Sequence, residues 1–403
     1  MHEDGGPAQS DHRAALVASF LGWTLDAFDF FLVVFCLTAI AREFGRADKE
    51  IALTITVTLA FRPLGAFLFG LLADRYGRRL PLMIDLVFYS LCEVASGLAP
   101  SYRTFLVLRA LFGIGMGGEW GVGTSLAMEK VPPRMRGVLS GVLQEGYALG
   151  YLLAAAAYFL VYPRFGWRPL FFLGGLPALL ALFVRARVKE SEVWQKTHHT
   201  SFRELGRGIA SHWKLFLSLI LLMTTLNLVA HGTQDLYPTF LERQWGLAPR
   251  ARAAVTALSM VGAINGGIFF GWVSDRVGRR RGIVAALSAA LVMIPLWAFA
   301  PGLALLVVGA FLMQFMVQGA WGIIPAHVSE LSPDPVRGFL PGFAAQCGVL
   351  LSSSVAYLEA RAAERSSYSG VMALTALCVL VAGIVVAAFG RERRGVAFGS
   401  GAP

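Results

Sequence analysis

Apolar positions run along this chain in long blocks, and the polar positions between them are few and clustered. Breaking the chain at its charged, Gly and Pro clusters leaves apolar stretches near 14–41, 50–73, 80–99, 102–128, 137–161, 167–186, 213–241, 251–274, 282–300, 302–328, 338–360 and 367–390. A helix of about 20 residues crosses the roughly 30 Å hydrocarbon layer of a bilayer, so the pattern predicts twelve membrane-spanning helices. The longest polar interval is RVKESEVWQKTHHTSFRELGRGIASH at 187–212, which divides the spans six and six. The expected organisation is an all-α integral membrane protein: an N-terminal half at 1–186, a cytoplasmic linker at 187–212 and a C-terminal half at 213–403.

Composition narrows the class further. Of 403 residues, 56% are hydrophobic and 15% charged, against about a quarter charged in soluble domains, and the mean hydropathy is +0.62. This excludes a water-facing globule, a secreted disulfide scaffold and a disordered chain. Cys36, Cys92, Cys347 and Cys378 all stand in apolar stretches without metal-ligand spacing, and read as packing residues; neither metal nor cofactor is expected. The net charge of +10 describes orientation rather than a nucleic-acid partner. Placing the N-terminus inside puts 22 Lys and Arg on the inner side and 11 on the outer, with Arg62 and Arg109 left within spans. That bias sets both termini in the cytoplasm. Residues 1–12 lack the basic and short apolar segments of a removable signal peptide. A multi-pass monomer in a bacterial-type cytoplasmic membrane or a plasma membrane is the expectation, with the lipid bilayer as its surroundings.

An internal repeat decides the architecture. GLLADRYGRR at 70–79 returns as GWVSDRVGRR at 271–280, a displacement of 201. Without a gap, the same displacement lays Trp120 and Gly121 on Trp321 and Gly322, Glu129 on Glu330, Pro132 on Pro333, and Arg136 and Gly137 on Arg337 and Gly338. Two homologous six-helix halves imply a pseudo-twofold axis and a cavity where they meet. Asp74 and Asp275 fall at helix ends, and Arg78 and Arg279 can pair with acids on neighbouring ends. Glu129 and Glu330, followed by Arg136 and Arg337, are the expected partners. These eight residues are read as a cytoplasmic gate that breaks and reforms as the halves rock; plain positive-inside topology is the alternative.

Each ionisable side chain inside a span costs at least about 2.5 to 3.5 kcal/mol, so it calls for a partner or a function. At about 100° per residue, Asn227, His231, Gln234 and Asp235 fall within about 100° of one another on the seventh span. His231 and Asp235, spaced i,i+4, can share a proton or an ion pair. The displacement sets Asp26 opposite Asn227, so Asp26 and Asp29 on the first span are proton-coupling candidates, or one of them pairs with Arg109 or Arg62 to hold helices together. Arg109 on the fourth span is the expected anchor for an anionic substrate, because a guanidinium offers a carboxylate a bidentate fork. Glu119, ten residues on, is placed to balance it, and Glu145 joins the proton-coupling set. Gln144, Tyr147 and Tyr151 on the fifth span and Gln346 on the eleventh are selectivity contacts, whereas Gln314 and Gln318 are equally explained by helix-helix hydrogen bonds. GIGMGGEWG at 113–121 sits mid-span with no preceding strand and no following Lys-Ser/Thr, which excludes a phosphate loop. No nucleophile-base pair appears, so no enzyme is expected.

The repeated G-x-x-x-D-R-x-G-R-R resembles the signature of the major facilitator superfamily. Within it the chain resembles the sialate:proton symporter group through LDAFDFF at 25–31, GIGMGGEWG at 113–121 and PPRMRG followed by LQEGYALGY at 132–151. Asn227 to Thr239, NLVAHGTQDLYPT, is similar to the N-x-x-[ST]-H-x-[ST]-Q-D-x-x-x-T motif of Jen-type lactate and pyruvate:proton symporters; six of the seven specified positions agree, and Ala230 replaces the Ser or Thr. The resemblance implies alternating access and proton-coupled import of a small monocarboxylate such as lactate or pyruvate. Moving an unpaired anion inward against a negative-inside potential costs about 2.3 kcal/mol per 100 mV, a cost that a co-transported proton removes. Sialate or an aromatic acid as substrate, and a transporter-like receptor, remain the alternatives.

Overall fold

The computed structural model describes residues 7–196, 202–363 and 365–399, and among these there is no strand. The N-terminal half is built from α1 (Pro7–Glu43), α2 (Asp48–Tyr76), α3 (Arg79–Gly97), α4 (Tyr102–Lys130), α5 (Arg136–Gln144), α6 (Gly146–Phe165), α7 (Arg168–Leu173) and α8 (Leu176–Arg187). The expected linker holds α9 (Glu192–Lys196) and α10 (Phe202–Ser211), and its residues 197–201 lie outside the described residues. The second half comprises α11 (Trp213–Gln234), α12 (Tyr237–Arg243), α13 (Pro249–Val277), α14 (Arg279–Ala298), α15 (Leu303–Leu331), α16 (Leu340–Ser352), α17 (Val355–Ala363) and α18 (Tyr368–Phe389). Among the described residues eleven helical segments are long and apolar enough to cross a membrane, and α16 is a shorter apolar helix.

Four spans that read as continuous in the sequence are broken, three of them for a local reason. Pro238, in the first turn of α12, has no N–H for the Gln234 carbonyl, so α11 stops there. Gly174 and Gly175 separate α7 from α8, glycine being the poorest non-proline helix former. The eleventh span breaks at Ser353, where the Ser352 and Ser353 hydroxyls donate to the Val349 and Leu350 carbonyls. The fifth breaks at Glu145, between α5 and α6.

The displacement of 201 holds to the residue at several helix ends. α4 begins and ends 201 residues before α15, and α2 ends at Tyr76 as α13 ends at Val277. The next residues, Gly77 and Gly278, have φ of 99° and 104°, a region glycine enters without the Cβ clash. The glycine of D-R-x-G-R-R is therefore the hinge that turns α2 into α3 and α13 into α14.

The halves meet through small residues at the end of the bundle that bears these motifs. Gly121 of α4 abuts Gly342 of α16, and Gly141 of α5 abuts Gly267 of α13, on which Gly322 of α15 packs from within the second half. Missing side chains bring the helix backbones close enough to seal this end. Toward the opposite end the halves diverge, and Asp235 and Pro238 are exposed there.

Candidate functional site

Between the halves lies a cavity of about 390 Å³, within the range of small-molecule sites. From the N-terminal half it is lined by Trp23, Phe30 and Phe31 of α1, Arg62 of α2, Trp120 of α4, and Gln144, Tyr147 and Tyr151 of the broken fifth span. The other half supplies Asn227, His231, Gln234 and Asp235, with Gln318, Trp321 and Gln346 from α15 and α16. The polar stripe expected on the seventh span thus faces the cavity, together with Gln144, Tyr147 and Gln346.

Hydrogen bonds fix much of this wall. Gln144 accepts the Trp120 indole N–H on its side-chain oxygen at 3.2 Å and the Trp23 indole N–H on its backbone carbonyl at 3.3 Å. Tyr147 stacks on Trp23 with centroids 5.5 Å apart, and Phe31 meets Tyr147 edge-on at 5.3 Å. Asn227 donates to the Met223 carbonyl at 2.8 Å. His231 Nδ1 lies 3.0 Å from Asp235 Oδ2, as their spacing predicts. Gln346 is buried and its Oε1 has no partner. Gln314 instead donates to the Thr233 carbonyl at 3.4 Å, a helix-helix bond. Rings and amides therefore supply shape, while Arg62 is the one arginine or lysine among the lining residues. It is buried, and its Nε has no partner.

Arg109 does not line the cavity. Its Nη1 donates to Glu93 Oε2 of α3 at 2.5 Å, and its guanidinium lies 3.9 Å from the Phe112 ring centroid. Asp26, Asp29, Glu119 and Glu145 are likewise buried and absent from the lining. The carboxylates of Asp26, Asp29 and Glu119 take no hydrogen bond; Glu119 rests against Gly22 of α1, and Asp29 and Glu93 against Gly174. Asp85 and Glu93, both fully buried on α3, complete the group. The signal for these two was the one that marked Asp26: an acid inside an apolar stretch.

At the sealed end the repeated motifs interlock. Arg78 reaches Asp74 Oδ1 at 2.6 Å and Glu129 Oε1 at 3.0 Å; Arg279 reaches Asp275 Oδ1 at 2.7 Å and Glu330 Oε2 at 2.9 Å. Across the halves, Asp74 accepts the Gly338 and Phe339 backbone N–H groups at 2.7 and 3.0 Å. Asp275 accepts those of Gly137 and Val138 at 2.8 and 2.9 Å. Arg136 pairs with Glu330 at 3.1 Å, and Arg337 lies 3.9 Å from Glu129 while also pairing with Asp334. All eight residues expected at a gate are in this lattice, and both aspartates bind the opposite half rather than only their own arginines.

Residues 19–240 match the family model described as Major Facilitator Superfamily, and residues 233–392 that of sugar (and other) transporters. The chain belongs to the major facilitator superfamily. This superfamily member is a transport protein rather than an enzyme. It is 29% identical over 373 residues to a protein of Saccharomyces cerevisiae named carboxylic acid transporter protein homolog, covering 86% of this chain and 60% of the yeast protein. It is 28% identical over 340 residues to the sialic acid transporter NanX of Escherichia coli, covering 82% of each. The superfamily fold appears in the solved structure of the proton:xylose symporter XylE, which aligns over 97% of this chain and 98% of that one with a TM-score of 0.81 at 18% identity.

Proposed function

We propose that this superfamily member is a proton-coupled symporter importing a small organic monocarboxylate by alternating access. The observation that carries the reading is Arg62: one buried guanidinium facing an aromatic- and amide-lined cavity, with unpartnered carboxylates buried behind it. A substrate carboxylate takes the free face of Arg62, and Gln144, Tyr147, Asn227, Gln234 and Gln346 bond its remaining polar groups. His231 and Asp235 stand nearer the mouth, where a proton arrives first. The kinship with carboxylic acid and sialic acid transporters supports an organic acid as cargo.

Coupling follows from charge. Asp26, Asp29, Asp85, Glu93 and Glu119 are five buried carboxylates on α1, α3 and α4, and the buried arginines of this half's core are Arg62 and Arg109. Fully ionised, the group holds a net charge of about −3, and uncompensated buried charge costs several kcal/mol per ion. Protons therefore occupy part of the set, and an anion on Arg62 removes one of its two counter-charges. Substrate and proton binding are then mutually reinforcing.

Positive-inside orientation puts the sealed motif end in the cytoplasm, so the cavity opens outward. The gate of Asp74, Arg78, Glu129, Arg136, Asp275, Arg279, Glu330 and Arg337 holds that state and breaks to release cargo inside. The stacked Trp23 and Tyr147 also suit an aromatic acid or sialate. Proteoliposome uptake of labelled lactate, pyruvate, benzoate and sialate under an imposed inward proton gradient tests both points. Accumulation of one acid, abolished by a protonophore, is expected; accumulation indifferent to the protonophore refutes coupling, and no uptake of any acid refutes the substrate class.

A further inference from the structure

One carboxylate in the seam between the halves stands outside the arginine pairs of the sealed end and apart from the acids of the N-terminal bundle. Glu145, at the break between α5 and α6, is 6% exposed, and its Oε1 is buried without a hydrogen bond. Its side chain occupies the space a Cβ on Gly267 of α13 would fill. The slot therefore exists because residue 267 is glycine and because the two halves are together. Around it the seam is tight: Ser140 donates to the Gly322 carbonyl at 2.7 Å and accepts the Ala326 N–H at 3.0 Å. The helices α1, α4, α13 and α15 pack against this span, and their ionisable groups include Asp26 and Asp29 on α1, Arg109, Glu119, Glu129 and Lys130 on α4, Asp275 and Arg276 on α13, and His327 and Glu330 on α15. Glu145 has no ion pair with any of them: Asp275, Glu129 and Glu330 are held by the gate arginines, and Asp26, Asp29 and Glu119 stay within the N-terminal bundle.

We propose that Glu145 is a proton-binding site whose occupancy reports closure of the cytoplasmic seam: it holds its proton while the halves are joined and releases it when they part. An ionised carboxylate buried without a partner costs several kcal/mol, whereas the neutral acid fits the slot. When the halves separate, Gly267 withdraws and water solvates the carboxylate. The closed form then binds one more proton than the open form. By linkage, proton uptake favours closure and proton loss favours opening. The repeat supplies an internal comparison, because the position 201 residues on is Gln346, the neutral isostere, and it is buried near the same level with its own Oε1 unpartnered.

The inference rests on the alternating-access reading but not on any substrate, so its test uses none. Met135 and Val277 are exposed on opposite halves at the motif end. In full-length protein with native cysteines replaced, spin labels at Met135→Cys and Val277→Cys read the separation of the halves. Raising the pH from about 5 to about 9 should convert short distances to long ones, by up to about tenfold per pH unit for one linked proton. Glu145→Gln should hold the short distance and lower that slope by about one proton. Gly267→Ala should shift the population toward long distances at every pH. A Glu145→Gln slope equal to wild type overturns the proposal even if Gly267→Ala fails to fold. Loss of acid uptake with the slope intact counts against the symporter reading alone.

Discussion

Replacing Asp74 or Asp275 by asparagine isolates what holds the halves together. Each carboxylate accepts two backbone N–H groups from the opposite half at 2.7 to 3.0 Å. Asparagine keeps the size but has one acceptor oxygen, and its NH₂ faces the second N–H. One charge-assisted hydrogen bond is lost, worth about 1.5 to 3 kcal/mol, and a buried donor is left unpaired at about 1 to 3 kcal/mol more. Taking about 3 kcal/mol for the closed state and about 1.4 kcal/mol per decade, each substitution shifts the equilibrium toward separation by roughly 100-fold. The two aspartates share no partner, so the double variant should approach the product. Ala326 is fully buried in the seam beside Leu143, so Ala326→Cys reacts with a maleimide only when the halves part. Its labelling rate should rise by about two decades in Asp74→Asn and similarly in Asp275→Asn, with the gain capped in the double variant by the rate of a free thiol. Rates within about threefold of the parent in both single variants would refute the assignment of these bonds to closure.

The other tests address the cavity and its surroundings. Trp23, Trp120 and Trp321 line the cavity, so tryptophan fluorescence reports ligand binding directly. Arg62→Ala should weaken carboxylate binding by roughly 10² to 10³, the loss of two charge-assisted hydrogen bonds net of partial solvation, and Arg62→Lys should recover part of it; unchanged affinity in Arg62→Ala refutes its role as anchor. Arg109→Ala strands Glu93 as a buried unpaired acid, so it should cost about 3 to 5 kcal/mol of stability. A lowered melting temperature in detergent, restored by adding Glu93→Gln, is expected, and an unshifted one refutes the structural role of the pair.

Much of this fold was legible because each signal was local or repeated. Apolar runs gave the spans, and the repeat at a displacement of 201 marked the eight residues that interlock at the sealed end. The stripe on the seventh span was legible too, since helical periodicity alone aligns Asn227, Gln234, His231 and Asp235. Arg109 shows where that reasoning stops. A sequence gives a residue's depth in its span, but which neighbouring helix it faces depends on packing, and Arg109 turns to Glu93 of α3 while Arg62 turns to the cavity. The breaks at Glu145 and Ser353 were hidden for a related reason: an apolar stretch that bends has the same composition as one that does not.

The repeat is kept at the sealed end and abandoned in the bundle cores. There Asp74, Arg78 and Glu129 recur as Asp275, Arg279 and Glu330 in matching bonds, whereas Arg136 pairs with Glu330 at 3.1 Å and Arg337 stands 3.9 Å from Glu129. In the cores, the displacement carries Asp29, Arg62, Asp85, Arg109 and Glu119 onto alanines, Glu93 onto Ile294 and Asp26 onto Asn227. A lattice that is repeated in both halves gives neither half a separate task, so any division of labour lies where they differ. One half concentrates buried charge, whose state would change with proton and anion binding in the proposed symport. The other presents neutral amides and the His231–Asp235 pair to the same cavity. Gathering these seven ionisable groups in one bundle limits most of the desolvation to it, with Glu359 of α17 a buried acid of the other half; in the proposed symport Arg62, reaching from that bundle into the cavity, would link a bound carboxylate to the proton sites.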